Sequence, residues 1–62
     1  MGRDDILNAI AELAQSQGFY GRLLRDLREA RDENPDGYEA FMTELEAQKF
    51  GDTLDLVLYL ET

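Results

Sequence analysis

Apolar side chains recur every three or four residues in three successive blocks of this chain, and each block ends at a short polar or glycine-bearing interruption. Ile6, Ala9, Ile10, Leu13 and Ala14 fall at the i, i+3, i+4, i+7 and i+8 positions of one helical face. Tyr20, Leu23, Leu24 and Leu27, continuing to Ala30 or Arg31, repeat the period over residues 19–33. Tyr38, Phe41, Met42 and Leu45 repeat it a third time. Side chains of a strand alternate between two faces, so this spacing commits most of the chain to amphipathic helices that bury one stripe each.

The interruptions carry matching punctuation. Asp4 or Asp5 can cap the first helix. Ser16 can cap the second, with Phe19 or Tyr20 packed back on the first in the manner of a staple. In "NPDG" at 34–37, Asn34 can cap the third helix, and the ring of Pro35 pre-sets φ for a first helical position. In "KFGD" at 49–52, Gly51 can take the left-handed conformation just past a helix end, and Asp52 can cap a fourth element.

The last stretch is ambiguous in period. Leu54, Leu56, Leu58 and Leu60 alternate with Asp55, Val57, Tyr59 and Glu61 as in a half-buried strand, yet the same letters also form helical faces. A lone strand in a helical chain would leave its backbone groups without partners. Asp52 with Asp55 three residues later approximates a capping box, and leucine is a good helix former, so a short helix is expected. The expected fold is all-α: a compact bundle of three longer helices plus a short C-terminal helix, in one small domain spanning 1–62.

A chain of 62 residues supports only a marginal core. With no cysteine and no histidine, disulfides and the usual zinc sets cannot reinforce it, which leaves good helix chemistry or self-association. The net charge of −8 accompanies 44% hydrophobic residues, too apolar a composition for a disordered acidic tail. No apolar run is long enough to span a membrane and no leader pattern is present, so a cytoplasmic location is expected.

The charge is unevenly placed. Residues 32–62 carry −8, whereas residues 18–31 carry +2. Leu13, Ala14, Gly18, Phe19, Leu24 and Leu27 approximate the spacing of a helix-turn-helix, which would make Arg22, Arg25 and Arg28 candidate DNA contacts. Arg22, Arg25, Arg28 and Arg31 recur every three residues, however, so the row drifts around a helix instead of lining one edge. Asp26, Glu29 and Asp32 lie four residues after the first three, which favours a solvated face of ion pairs. Nucleic acid is therefore not the expected partner. An acidic body can also act as a nucleic-acid mimic toward a basic protein surface, a further reading that rests on the charge alone.

"GFYG" at 18–21 invites a phosphate-loop reading, because glycines let a backbone approach an anion. It lacks the spacing and the Lys-Ser/Thr of a nucleotide loop, and a G-x-x-G clamp of the KH type belongs to a sheet that this chain cannot build. A joint between helices accounts for all four residues. No catalytic constellation stands out: Asp4 with Asp5 and Glu44 with Glu46 do not share a helical face, and Ser16 is the only serine. "DENPDGYEAF" misses the calcium-loop register, since Thr43 stands where the terminal Glu belongs. The reading is a non-enzymatic protein without cofactor or metal that binds another protein or itself, as a homodimer for instance.

The surface expected to carry that function lies at the C-terminal end. Six of the seven residues 54–60 are apolar, more than one buried stripe accommodates. With Leu54, Val57 and Leu58 facing inward, Leu56, Tyr59 and Leu60 would remain outside with Phe50 nearby, ringed by Asp52, Asp55 and Glu61; the alternative is that the other three helices enclose the short one and leave no patch. Finally, "SQGFYGRLL" together with "LEAQKFGDTLDLVLYLE" resembles a group of very small accessory proteins of conjugative and prophage-type elements of gut bacteria, whose function is not established. The resemblance implies a cytoplasmic accessory role and assigns no site residue.

Overall fold

In the computed structural model, which describes all 62 residues, the chain forms four helices and no strand: α1 (Arg3–Ala14), α2 (Gly18–Glu33), α3 (Pro35–Ala47) and α4 (Thr53–Leu60). About 79% of the residues are helical, an all-α bundle with a short C-terminal helix. At about 1.5 Å per residue, α2 with its 16 residues runs nearly the full 29 Å length of the molecule. No helix is long and apolar enough to cross a membrane.

The three periodic stripes do what their spacing requires. Ile6, Ala9 and Ile10 of α1, Leu27 of α2, and Tyr38, Met42 and Leu45 of α3 meet in one core. Leu23, Leu24, Ala30 and Phe41 pack against it half-buried. Helices α1, α2 and α3 all touch one another, whereas α4 lies alongside α1 only. Only ten residues are buried, all of them hydrophobic, so each one carries a large share of the stability of so small a domain.

Arg3 ties the first turn of α1 to α3: Nη1 donates to Glu39 at 2.8 Å and Nε to Glu46 at 3.0 Å. The Glu39 hydrogen bond is the main cause that raises the guanidinium above its ordinary pKa, with partial desolvation opposing it. The N-terminal amine donates to the carbonyl of Phe50 at 2.7 Å, which holds the segment before α4 against the start of α1.

The helix ends depart from expectation in instructive ways. The capping position of α1 is Gly2 rather than Asp4 or Asp5; those acids sit in the first turn, and Asp5 accepts from the Gly2 amide at 3.3 Å. That position suits them, because carboxylates favour the positive end of the helix dipole. Ser16 does not cap α2: its hydroxyl points back to the Leu13 carbonyl at 3.5 Å, and the capping position is Gln17, which makes no side-chain cap bond. Asn34 does cap α3, accepting from the Gly37 amide at 3.3 Å, and Pro35 opens the helix. Asp52 caps α4, accepting from the Asp55 amide at 3.0 Å, while the Asp55 carboxylate reaches one residue further back, to the Gly51 amide at 3.0 Å.

The left-handed residue after α3 is Lys49, with φ of 53°, not Gly51. It turns the chain so that Phe50 folds onto the core, an arrangement in which a hydrophobic residue two positions past the cap packs back on its own helix end.

Candidate functional site

The glycine-aromatic stretch is part of a helix. Gly18 and Gly21 both lie within α2, no glycine has a positive φ, and the joint between α1 and α2 is residues 15–17. The phosphate-loop geometry is therefore absent. Gly21 lies where α2 passes the end of α1: a Cβ there would stand 3.9 Å from the carbonyl oxygen of Ala14, ordinary contact with little room beyond it. Tyr20 is fully buried and stacks edge-on with Phe19 at 5.0 Å, leaving Phe19 exposed. The near-miss calcium segment is likewise helical from Pro35 onward, its Asp36 and Gly37 forming the first turn of α3.

At the C-terminal end, the structure gathers Phe50, Leu56, Tyr59 and Leu60 on one side of α4, in agreement with their spacing, but that side is the inner one. Leu56 is completely buried, Phe50 belongs to the core, and Leu60 packs against it half-buried. Tyr59 stands edge-on to Phe50, with ring centroids 5.5 Å apart, and is 37% exposed. The side chains expected inside are the ones turned out: Leu54 is 61% and Leu58 56% exposed, with Val57 intermediate. The inversion originates at Phe50. Once that ring is turned back onto the core, the helix it leads into must present Leu56 and Leu60, one turn apart, to the same side.

Leu54 and Leu58 thus form an exposed aliphatic pair at i, i+4 on a helix with no basic residue. The segment from Gly51 to the end holds three acids, Asp52, Asp55 and Glu61, and no base. Glu61 accepts from the Tyr20 hydroxyl at 3.2 Å, which fixes the C-terminal end of α4 against the start of α2. Burial of Tyr20, then the negative charge of Glu61, raises the pKa of that hydroxyl.

The arginine row of α2 does not form the ion pairs its spacing allows. None of the i, i+4 partners comes within 4 Å, and the sole contact is Arg25 with its neighbour Asp26 at 4.0 Å. Exposed pairs of this kind contribute only tenths of a kcal/mol, roughly the cost of ordering the side chains, so nothing compels them. The drift of the row separates its members instead. Arg28 and Arg31 border a groove of about 200 Å³ between α1 and α2, lined also by Tyr38 of α3, while Arg22 and Arg25 lie outside it. Half-buried Leu7, Ala11 and Leu24 line the groove together with Leu27, which is buried. Both charged residues in the lining are positive, in a protein of net charge −8.

The groove is smaller than the roughly 300–1,000 Å³ of pockets that enclose small ligands, and it suits one or two aliphatic side chains. No family model matches the chain, and no curated protein and no solved structure matches it. The exposed large apolar side chains are Phe19, Leu54, Leu58 and Tyr59.

Proposed function

We propose that the protein is a non-enzymatic cytoplasmic interaction module whose binding face is the outer side of α4. The observation that carries this reading is the exposure of Leu54 and Leu58 on one face of a well-capped helix whose own segment, residues 51–62, holds three acids and no base. A domain with ten buried residues gains from every apolar contact it can make, and leaving two neighbouring leucines in water forgoes that gain unless a partner covers them. The face asks for a protein partner, another copy included, that offers an apolar recess edged with positive charge. An accessory role in a conjugative or prophage-type element is the setting its sequence resemblance suggests.

A photo-reactive residue placed at 58 in the native cell tests the reading against the same residue placed at 44, on the exposed polar side of α3. Discrete cross-linked protein products from position 58 that are missing from position 44 are expected. Identical products from both positions, or none from 58, would show that α4 is not a binding face.

A further inference from the structure

We infer that the recess that receives α4 is the α1/α2 groove of a second copy of this chain, so that molecules pair head to tail. The inference rests on the reading of α4 as the binding face and names its partner. Leu54 and Leu58 stand one turn apart and present a short ridge, and the groove lined by Leu7, Leu24 and Leu27 is the depression into which such a ridge packs. The ridge belongs to a segment, residues 51–62, that carries Asp52, Asp55 and Glu61 and no base, and Arg28 and Arg31, neither held by an acid of its own chain, edge the groove.

Charge selects this arrangement over its simplest rival. A symmetric pairing of α4 with α4 would set Asp55 and Glu61 against their own copies, with no base in the segment to relieve them. Insertion of α4 into its own groove is closed by geometry. Leu56 and Leu60 seat the inner side of α4 on the core, so Leu54 and Leu58, 61% and 56% exposed, point away from the body of their own chain. The ridge therefore cannot enter the groove of its own chain while Leu56 stays buried, and only another molecule brings the two together. Contacts of this kind use a different patch on each partner, and they propagate into a ring or an open string instead of stopping at a two-fold dimer.

Sedimentation of two single-surface variants tests it. Leu58→Glu disables the ridge, and Arg28→Glu with Arg31→Glu disables the groove; all three residues are exposed or half-exposed, and thermal melts verify that each variant is folded. Should the charge-reversed groove variant not fold, Arg28→Gln with Arg31→Gln replaces it.

The wild type is expected to gain mass with concentration up to about 1 mM, as befits a small, weak interface, and to lose that gain in high salt. Each variant alone is expected to associate at least about tenfold less. Mixed in equal amounts, the two variants should form a one-to-one pair and stop there, because each retains the surface the other lacks. A groove variant that associates like the wild type, or a mixture that fails to pair, overturns the groove as the partner and leaves α4 standing as a binding face. A wild type that stays monomeric throughout overturns self-pairing, and the cross-linking at position 58 then decides separately whether α4 binds anything.

Discussion

The hydroxyl of Tyr20, fully buried in the first turn of α2, donates to the carboxylate of Glu61 just beyond α4, 3.2 Å away and 41 positions along the chain. It is the side-chain hydrogen bond that fastens the last helix to the body.

Ionisation of Tyr20 should therefore cost stability. Its folded pKa is raised, by burial first and by Glu61 second, so the native state holds the proton more tightly than the unfolded chain. The stabilisation is complete below the ordinary tyrosine value of about 10 and is lost as pH rises through the folded value. Urea titrations between neutral and strongly alkaline pH check this. The stability of Tyr20→Phe should fall less steeply above about pH 10, at the expense of about 0.5–1.5 kcal/mol at neutral pH for the lost hydrogen bond. Parallel curves for the two proteins would contradict it.

Two leucines of α4, two positions apart, should behave oppositely. Leu56 is enclosed by the core and Leu58 by water. Leu56→Ala is expected to destabilise by about 2–4 kcal/mol through the cavity it leaves, which is a large part of what a domain this small possesses. Leu58→Ala should stay within about 0.5 kcal/mol of the wild type in dilute solution. Equal losses from chemical denaturation would mean that the helix is rotated about its axis from the orientation described.

Lys49 holds a left-handed backbone conformation that costs an L-residue with a Cβ about 1–2 kcal/mol. Lys49→Gly should stabilise the protein by about 0.5–1 kcal/mol, the net of relieved strain and the greater freedom of glycine in the unfolded chain. A lower melting temperature for this variant would show that the lysine side chain makes a compensating contact.

Duplex DNA should not bind appreciably at physiological salt. The arginines of α2 are divided between the groove and open surface, and the remainder of the molecule repels phosphate at long range. Fluorescence anisotropy with a labelled duplex checks this; saturable, salt-sensitive binding in the micromolar range, weakened by Arg25→Ala and Arg28→Ala, would revive the DNA reading.

What can be read from the sequence, and what cannot, divides along a physical line. Helices α1 to α3 are legible because each has a polar side, so Ile6, Ile10, Leu27, Met42 and Leu45 can face only one way. Residues 54–60, apolar at all but Asp55, leave the helical axis free to rotate without penalty from the pattern. Its orientation comes from outside the segment, from the backbone turn at Lys49 that commits Phe50 to the core. Hence the pattern identifies the C-terminal apolar cluster but exchanges Leu56 and Leu60 with Leu54 and Leu58, while Tyr59 stays exposed as expected. The groove is illegible for another reason: it exists only where Leu7 and Ala11 of one helix meet Leu24, Arg28 and Arg31 of the next, and no single stretch of chain contains that juxtaposition.

Because α4 packs along α1 and reaches α2 through the Tyr20–Glu61 hydrogen bond, without joining the closed set of the three longer helices, the molecule has two levels of cooperativity. The three longer helices close on one another and must melt together, whereas the last one can detach at the cost of Leu56, Leu60, Phe50 and the Tyr20 tether while the rest stays shut. Amide protons of residues 53–60 would then exchange through brief detachments far more often than those of α1. Each detachment would also open the core that Leu56 and Phe50 help to close, so whatever seats itself on the outer face of α4 would slow the fraying of the entire domain.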